Sequence, residues 1–586
     1  MNFGDLLSRV AEYEAQQLWP LSALLYETWL KRNQSPYQHA GYFNYGLALS
    51  NAFDLAGAEQ AYRKAIELAP AFIQPRLNLA NLYERQGLFD KAIQEWQWVA
   101  ENVDGRQPAD VPLLVMALNN LGRVMENRKQ YDRASDYLAR SLALNPDQES
   151  VLHHWVYLRE KQCAWPVYQQ VPGVSLELMK GSTSALAMLS LSDDPQAQLE
   201  AAQRYVAKHV RTDIPPLASP KAYGHAKIRV AYLSSDFSLH PVSMLTVQLF
   251  ELHNRQQFEV YGYCWSPEDG SALRRRVIDA MDHFVRVDAM SDAEVAARIR
   301  QDEIDILVDL QGQTAGARAN ILAFHPAPVQ ITYLGLPATT GFPCIDYVIA
   351  DRFLIPEDCA RYYSETPLYM PDVYQVSDRN RAVGALPSRE ACGLPSQGFV
   401  YCSFNNNFKY TPEMFDVWMN ILRRVEGSVL WLLADNPWAQ QNLLREAANR
   451  GVAPERLFFA SRVSPENYLA RFAVADLFLD SFPFNAGTTA NDALWMELPV
   501  LTLSGRAFAS RMAGALLSAA GLDELITYDY RTYEEKAVEL ASNHEACASL
   551  KRRLKAVKER GALFDTQRFV TNLEARFRML AAGERP

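Results

Sequence analysis

The sequence lacks the features that mark secreted and membrane proteins. Its seven cysteines form no C-x-x-C pair, and their number is odd. They therefore predict neither a disulfide framework nor a zinc knuckle, and a reducing compartment fits them best. No run of about 18 apolar residues occurs, so no membrane span is predicted. The first residues do not combine a basic segment with an apolar one, so we expect no signal peptide and a cytoplasmic protein.

An excess of basic residues is also missing. The 586 residues include 58 Lys and Arg against 68 Asp and Glu, which gives a net charge of −10. Non-specific nucleic-acid binding needs clustered cations that displace counterions, so we expect no nucleic-acid partner. Hydrophobic residues make up 49% of the chain and charged residues 22%, which excludes a largely disordered protein. At roughly 100–200 residues per domain, the length predicts about three to five domains.

Three familiar nucleotide and metal motifs do not occur. The chain contains neither G-x-G-x-x-G nor a Walker loop, which argues against a dinucleotide oxidoreductase and a P-loop ATPase. No clear D-x-D follows an apolar strand, so we expect no metal site. The charge of a bound nucleotide would then be met by protein donors instead of Mg²⁺.

Residues 1–150 do contain a repeat. Ala58 and Ala92 lie 34 residues apart, and Ala134 follows after 42, which places about eight extra residues near 104–111. A period of 34 is that of a tetratricopeptide helix pair, in which small residues let the helices approach closely. Such solenoids usually bind a partner and perform no chemistry.

The ends of the repeats are also indicated by the sequence. Pro70 and Pro146 are predicted to end the second helices of their units, because proline cannot continue a helix. The stretch from Leu6 to Leu30 is interpreted as a degenerate half-repeat that caps the array.

The rest of the chain changes character after a transition. Residues 151–225 are predicted to form a helical linker with a proline-rich end. Apolar strands then alternate with helices over 226–390 (the N-lobe) and again over 391–545 (the C-lobe), and C-terminal helices occupy 546–586. This alternation predicts two doubly wound parallel sheets. Ligands bind such sheets at the carboxyl ends of the strands, so the chemistry is expected there.

A lysine follows the first strand predicted in the C-lobe. Lys409 stands between the apolar run GFVYCSF and the helical stretch PEMFDVWMNILRRV, and Asn405, Asn406 and Asn407 precede it. A lysine in this position can reach a pyrophosphate as a point charge. The alternative is a solvated surface lysine.

A second candidate lies at the start of a helix in DSFPFNAGTTANDALW. Gly487, Thr488 and Thr489 begin the helix, whose free backbone N–H groups favour an anion. Asp492 follows on the same face and can accept a ribose hydroxyl. The alternative is an ordinary threonine cap with an acidic residue in the first turn.

A histidine follows the first strand of the N-lobe. His240 stands between a strand and a helix, and Asp236 comes four residues earlier. A lone histidine is more often structural, but this one lies at the predicted ligand-binding edge of the sheet.

Eight motifs occur in one order along the chain: DFSLHPVS, LQGQTAGAR, HPAPVQITYLGLPATTG, DYVIAD, YSETPLYMP, FNNNFK, SVLWLL and FNAGTTANDALW. Together with the repeats they resemble the protein O-GlcNAc transferase family, including its bacterial SPINDLY-like members. The resemblance implies a tetratricopeptide α-solenoid followed by a GT-B glycosyltransferase with two Rossmann-like lobes. It further implies an inverting enzyme that uses a nucleotide sugar as co-substrate, without a metal or another cofactor.

The resemblance also implies a nucleotide-sugar site built from both lobes. His240 matches the family's histidine near the sugar and the acceptor, and Lys409 matches the lysine on the diphosphate. The other matching positions are Asn406 beside that lysine, Tyr468 and Arg471 bordering the base, Gly487 next to the phosphate-binding Thr488 and Thr489, Asp492 on the ribose, and Gln311, Gly312 and Thr314 in the loop near the sugar.

Three positions depart from the animal members of that family. Gly487 and Tyr468 each stand where those enzymes have a histidine, and His325 replaces an arginine. The leading hypothesis is transfer of GlcNAc from UDP-GlcNAc to Ser and Thr of proteins that bind in the groove of the repeats. The alternatives are O-fucosylation from GDP-fucose, N-glucosylation of Asn, or transfer of another sugar to a surface protein. A tetratricopeptide scaffold with a degenerate transferase module is the non-enzymatic alternative.

Overall fold

The computed structural model describes residues 1–219 and 223–585, and the chain divides into two compact units. The first unit comprises residues 1–159 and 168–182. The second comprises residues 160–167 and the remainder of the chain from Thr183. The segment predicted as a helical linker, 151–225, is thus divided between the two units.

The first unit is helical, as the repeat predicts. Its helices are α1 (Phe3–Ala15), α2 (Trp19–Arg32), α3 (Gln38–Asn51), α4 (Leu55–Leu68), α5 (Ile73–Arg85), α6 (Phe89–Asn102), α7 (Val111–Asn127), α8 (Tyr131–Leu144), α9 (Glu149–Lys161), whose last residues belong to the second unit, and α10 (Leu176–Gly181). A Cβ added to Gly46 on α3 would lie 2.7 Å from the ring of Tyr62 on α4, so the close approach of this pair requires a glycine.

The details of the repeat largely follow the predictions. Helices α4 and α8 end two residues before Pro70 and Pro146, and the eight residues 103–110 form the longer connection between α6 and α7. The prediction of a half-repeat over Leu6 to Leu30 is wrong, because this stretch forms the complete pair α1 and α2. Gln17 closes the turn between them in the left-handed region, at φ 57°.

The second unit begins with two helices and the N-lobe. The elements are α11 (Ala185–Leu191), α12 (Pro195–His209), β1 (Ile228–Ser234), α13 (Pro241–Leu252), β2 (Phe258–Cys264), α14 (Ala272–Asp279), β3 (His283–Arg286), α15 (Asp292–Gln301), β4 (Ile306–Asp309), α16 (Asn320–Ala323), β5 (Val329–Thr332), β6 (Tyr347–Ala350) and β7 (Thr366–Tyr369). The seven strands are parallel in the order β3-β2-β1-β4-β5-β6-β7.

The C-lobe repeats this plan. Its elements are β8 (Val400–Ser403), α17 (Pro412–Arg424), β9 (Val429–Leu433), α18 (Pro437–Asn449), β10 (Leu457–Ala460), α19 (Pro465–Arg471), β11 (Leu477–Leu479), α20 (Thr488–Trp495), β12 (Val500–Leu503), α21 (Met512–Ala519), β13 (Ile526–Thr527), α22 (Tyr530–Ser542), α23 (His544–Arg560) and α24 (Thr566–Ala581). The parallel order is β10-β9-β8-β11-β12-β13. The prediction of two Rossmann-like sheets after a helical solenoid is confirmed.

Both sheets reverse their strand order at one point. The reversal lies between β1 and β4 in the N-lobe and between β8 and β11 in the C-lobe. The crevice outside the carboxyl ends of these strands is where doubly wound sheets bind ligands. The central strands are buried on both faces, as in β4 and β8, which accounts for their continuous apolar runs.

The last helix returns to the N-lobe. Glu574 Oε1 on α24 accepts a hydrogen bond of 2.7 Å from the Asn254 backbone N–H and lies 3.0 Å from His253 Nδ1. The ring centroid of Phe577 lies 6.5 Å from that of Phe258. Helix α24 therefore completes the packing around the end of α13. In the described part of the chain, no helix is long and apolar enough to cross a membrane.

Candidate functional site

The C-lobe cluster forms around the loops that follow β8 and β11. Lys409 ends a short 3₁₀ turn after β8, and its Nζ donates a hydrogen bond of 2.9 Å to the carbonyl oxygen of Asn485. The same ammonium lies 3.7 Å from the ring centroid of Phe484. The structure thus places Lys409 against the loop that leads into Gly487, Thr488 and α20.

A buried carboxylate holds this loop in place. Asp480 Oδ1 accepts from the backbone N–H groups of Ala486, at 2.7 Å, and Ser481, at 2.8 Å. Its Oδ2 accepts from Thr502 Oγ1 at 2.8 Å. Burial raises the pKa of Asp480 to about 6, against these hydrogen bonds and the charge of Lys409. Burial lowers the pKa of Lys409 to about 8, against the charge of Asp480. A buried cation of this kind favours an anionic ligand.

Only one of the three asparagines before Lys409 is exposed. Asn405 donates to Ser481 Oγ at 2.9 Å and Asn407 donates to the Leu433 carbonyl at 3.3 Å, so both fasten the loop. Asn406 Oδ1 accepts from Arg462 at 3.5 Å, at the surface of the cluster. Its exposure leaves the side chain accessible to a ligand.

The threonines occupy the first turn of α20. Thr488 and Thr489 are partly buried, and the side chain of Thr489 lies near the hydroxyl of Tyr468 on α19. Burial raises the pKa of Tyr468, so its hydroxyl stays neutral. A Cβ added to Gly487 would meet only Met512, with its sulfur at 3.6 Å and its methyl at 3.8 Å. The space beside Gly487 would therefore admit a side chain.

Arg471 packs against Tyr468, next to the first turn of α20. Its guanidinium lies 4.2 Å from the ring centroid of Phe404 and 4.6 Å from that of Tyr468, and it donates to the Ser461 carbonyl at 2.9 Å. Burial lowers its pKa. Its buried Nε has no hydrogen-bond partner among the described residues. Such a donor can serve a bound ligand or an ordered water.

Asp492 has a partner that the sequence does not reveal. Its Oδ1 accepts a hydrogen bond of 2.7 Å from Arg381, which also donates to Asn491 Oδ1 at 3.0 Å. Burial raises the pKa of Asp492 to about 6, and Arg381 opposes this rise. Arg381 lies in the segment between the lobes, residues 370–399 between β7 and β8, and 111 residues before Asp492, and no local pattern marks it.

The N-lobe holds the other predicted residues. His240 is the residue before α13, and its Nδ1 accepts from the Val242 N–H at 3.4 Å and lies 3.6 Å from Asp236 Oδ2. Burial lowers the pKa of His240, and Asp236 opposes this change. The imidazole is therefore biased toward its neutral form and remains partly exposed.

The loop after β4 contacts the segment that leads from β1 to His240. The buried Gln311 donates to Thr314 Oγ1 at 2.8 Å and accepts from the Ser235 N–H at 3.0 Å. Gly312, at φ +59°, donates its N–H to Asp309 Oδ2 at 2.7 Å. Gln311 and Gly312 thus shape the loop after β4 and fasten it to the residue that follows β1, and Thr314 is partly exposed. The predicted residues therefore form two clusters, one at the reversal point of each sheet.

The buried and partly buried cationic groups of the C-lobe cluster include Lys409, Arg471 and Arg381, and the exposed Arg462 lies at its surface. Within residues 1–219 and 223–585, no group of three or more His, Cys, Asp or Glu side chains could hold a metal ion. The amides at the start of α20 add partial positive charge.

Two Rossmann-like lobes, with polar clusters where their strand orders reverse, define the two-lobed GT-B class of fold. The profile of "Glycosyl transferase family 41" matches residues 210–387 and 379–573, and a "Tetratricopeptide repeat" profile matches 39–72. The chain therefore belongs to glycosyl transferase family 41. The resemblance to O-GlcNAc transferases seen in the sequence is confirmed.

Two known proteins are similar to more than half of this chain. The "Probable UDP-N-acetylglucosamine--peptide N-acetylglucosaminyltransferase SEC" of Arabidopsis thaliana is 38% identical over an alignment of 398 residues that covers 65% of this chain and 41% of that protein. The "UDP-N-acetylglucosamine--peptide N-acetylglucosaminyltransferase" of Caenorhabditis elegans is 25% identical over 461 residues, with 59% and 40% covered. The chain thus spans about two fifths of the length of these relatives.

A solved structure shares the fold. A mutant O-GlcNAc transferase of Thermobaculum terrenum superposes with a TM-score of 0.64 at 24% identity. The match covers 94% of this chain and 99% of that one, so it includes the helical repeats and both lobes.

Proposed function

We propose that the protein is an inverting, metal-independent glycosyltransferase that moves GlcNAc from UDP-GlcNAc to Ser and Thr hydroxyls of protein acceptors. The observation that carries this proposal is the position of Lys409 against the loop that opens α20, at the reversal point of the C-lobe sheet. The names of the relatives from Arabidopsis and Caenorhabditis supply the donor and the acceptor class.

The leaving diphosphate would lie between Lys409 and the first turn of α20. Negative charge develops on this group as the bond to the sugar breaks, and fixed donors stabilise it without reorganising. Thr488 and Thr489 offer backbone N–H groups and hydroxyls there. Because burial disfavours the charged ammonium in the free protein, the diphosphate would raise the pKa of Lys409 again on binding.

The nucleoside would be held by the remaining C-lobe residues. Asp492 would accept a ribose hydroxyl, and Tyr468 and Arg471 would border the base. Asn406 would contact the donor beside Lys409. No metal is needed in this arrangement, since the protein cations and the helix terminus meet the charge of the nucleotide.

The acceptor would react from the N-lobe side. Its hydroxyl oxygen attacks C1 of the sugar as the bond from C1 to the diphosphate oxygen breaks, so a single displacement inverts the configuration. The hydroxyl proton goes to the neutral imidazole of His240 or to a phosphate oxygen of the donor. Gln311, Gly312 and Thr314 would border the sugar. Burial favours the neutral imidazole, and its Nδ1, which accepts only a long hydrogen bond of 3.4 Å from the Val242 N–H, is the nitrogen that would take the proton.

The helical repeats would bind the acceptor protein. Stacked helix pairs offer an extended surface on which a polypeptide can lie. No candidate for the chemistry lies in residues 1–150, so this part of the chain would contribute affinity and selection.

A second candidate function changes the donor. The space beside Gly487 is bounded by Met512 and lacks the side chain that animal O-GlcNAc transferases carry there. This difference keeps GDP-fucose, or a hexose for transfer to Asn, as alternative donors. The scaffold alternative is disfavoured, because Lys409, Thr488 and Asp492 lie together in the cluster that a transferase needs.

The test is a donor panel. Purified full-length protein is incubated with candidate acceptor proteins and with UDP-GlcNAc, UDP-glucose or GDP-fucose, and the intact masses of the acceptors are measured. We expect one or more additions of N-acetylhexosamine, and only with UDP-GlcNAc. Addition of deoxyhexose or hexose instead would replace the proposed donor. Failure of every nucleotide to raise the melting temperature would favour the scaffold alternative.

A further inference from the structure

The segment between the lobes reaches the nucleotide cluster through one arginine. Arg381 donates from all three guanidinium nitrogens: to Asp492 Oδ1 at 2.7 Å, to Asn491 Oδ1 at 3.0 Å, and to the Asp378 carbonyl at 2.8 Å. Its plane lies 4.8 Å from the ring centroid of Trp495, and only 9% of the side chain is exposed. Because each of its three nitrogens has a fixed partner, the planar guanidinium group of Arg381 is held in one orientation.

The backbone that carries this arginine is itself held from both lobes. Asp378, a buried residue, accepts two hydrogen bonds from Arg276 on α14 of the N-lobe, at 2.8 and 3.3 Å. Ser377 Oγ accepts from Asn491 at 2.7 Å, and its carbonyl accepts from Thr566 at 2.6 Å. Arg381 is therefore fixed relative to α20, and it cannot swing away without breaking several bonds.

Only one of the two carboxylate oxygens of Asp492 has a hydrogen-bond partner among the described residues. Its Oδ1 is taken by Arg381, while no described residue donates a hydrogen bond to its Oδ2. Asp492 lies one helical turn after Thr488, on the same face of α20, where a ribose would follow the diphosphate. Burial alone favours a neutral carboxyl there, which could turn over and donate a proton instead of accepting one.

We infer that Arg381 is a positioning residue for the ribose: it fixes the Asp492 carboxylate in one orientation and presents Oδ2 to a ribose hydroxyl. This inference rests on the proposed function, in which Asp492 binds the ribose of the donor nucleotide. A purely structural Arg381 would affect all ligands of the cluster alike. A positioning Arg381 affects only ligands that carry the ribose hydroxyls.

The test compares two nucleotides in several full-length variants. The dissociation constants of UDP and of 2′,3′-dideoxy-UDP are measured by calorimetry for the wild type, Arg381→Met and Asp492→Asn. We expect the wild type to prefer UDP by about tenfold to a hundredfold, as for a hydrogen bond to a charged group. Both variants should prefer it by less than about threefold and bind the dideoxy nucleotide almost as the wild type does. In the double variant Arg381→Met/Asp492→Asn, the preference for UDP should be no smaller than in either single variant.

The matched control is Arg379→Met. Arg379 lies in the same segment and donates to the Phe564 carbonyl at 3.3 Å. It makes no described hydrogen bond to α20, so its replacement should leave the preference for UDP unchanged. Arg381→Lys keeps the charge but not the fork, and we expect a preference between those of the wild type and Arg381→Met. Arg381→Lys replaces Arg381→Met in the comparison if Arg381→Met does not melt cooperatively.

Several outcomes would overturn the inference. Equal weakening of both nucleotides by Arg381→Met would make Arg381 a structural residue. Tighter UDP binding in that variant would make Arg381 a competitor of the ribose. If the wild type binds no uridine nucleotide, the proposed donor is wrong; the same comparison with GDP and 2′,3′-dideoxy-GDP then tests Arg381, because the ribose is common to both. A wild type that binds neither pair overturns both ideas.

Discussion

Lys409 combines burial with a position at the end of a strand, and this combination gives it a measurable role. Replacing it with alanine should lower kcat about 100- to 1000-fold, because a preorganised donor to a developing charge is worth roughly 2.7–4 kcal/mol. The melting temperature should change little, since its one described hydrogen bond goes to the Asn485 carbonyl. Steady-state kinetics and a thermal melt measure both effects.

The control is Lys536→Ala, which removes an ammonium that pairs with Glu539 on α22. It should leave kcat unchanged. Normal turnover by Lys409→Ala would show that Lys409 has no catalytic role.

The same lysine predicts a pH dependence. Its pKa in the free protein is lowered to about 8, and the charged form is the one that binds a diphosphate. The ammonium is protonated below that pKa, so kcat/KM should fall as the pH rises above about 8, and any fall at acid pH belongs to other groups such as His240 and Asp492. In Lys409→Arg the guanidinium stays charged, so kcat/KM should be lower but should not fall over this range. An identical basic limb in both proteins would assign it to another group.

At the scale of elements, the start of α20 replaces a metal in the proposed mechanism. UDP should therefore bind with the same affinity in the presence and absence of EDTA, since Lys409 and the amides of the first turn meet its charge. Calorimetric titration of the full-length protein measures this. Weaker binding in the chelator, restored by Mg²⁺ or Mn²⁺, would show that the site needs a cation.

Helix α24 predicts an effect on stability. Glu574→Ala leaves the Asn254 N–H and the His253 ring without their described acceptor in a buried place. An unsatisfied buried donor costs about 1–3 kcal/mol, so the melting temperature should fall measurably. Glu559→Ala on the exposed side of α23 is the matched control and should melt like the wild type. Equal melting temperatures for all three proteins would mean that water replaces the carboxylate.

The strands that the sequence reveals are those buried on both faces. The runs IDILVDLQG and SVLWLLAD predict β4 and β9, because a central parallel strand is apolar throughout. Of the four edge strands, β10 is predicted from the run LFFASRV, and β3, β7 and β13 are not predicted. β3 has four partly exposed residues, and β7 contains Pro367, which a strand tolerates when it pairs on one side only.

The residues of the candidate site also divide into those that the sequence predicts and those that it does not. Lys409, Thr488 and His240 are found from the sequence, because each follows a strand and precedes a helix. Arg381 and Asp480 are not, because their importance depends on partners brought together by the fold. Asp480 is a buried carboxylate within a loop, and Arg381 belongs to a segment without periodic pattern. Arg381 and Asp492 are separated by 111 residues, so no local signal marks this pair.

At the scale of the whole molecule, the repeats and the lobes should separate functionally. Removing residues 1–150 should slow glycosylation of folded protein acceptors more than it slows hydrolysis of the sugar nucleotide. The periodic segment contains none of the candidate donor ligands, and stacked helix pairs suit a polypeptide. Initial rates of both reactions measure the effect.

The truncated protein must first melt cooperatively and bind UDP like the full chain. If that folded protein modifies acceptors at the full-length rate, the repeats do not select acceptors, and a role in assembly becomes the better explanation.

The return of α24 to the N-lobe sets the order in which the protein can be completed on the ribosome. All seven strands of the N-lobe have been synthesised when Tyr369 is added, yet Glu574 and Phe577 come roughly 200 residues later. At 5–20 residues per second this interval lasts on the order of 10–40 s. The first lobe to be made is therefore the last to be finished, and a nascent chain arrested after β13 holds both sheets with His253 still uncovered.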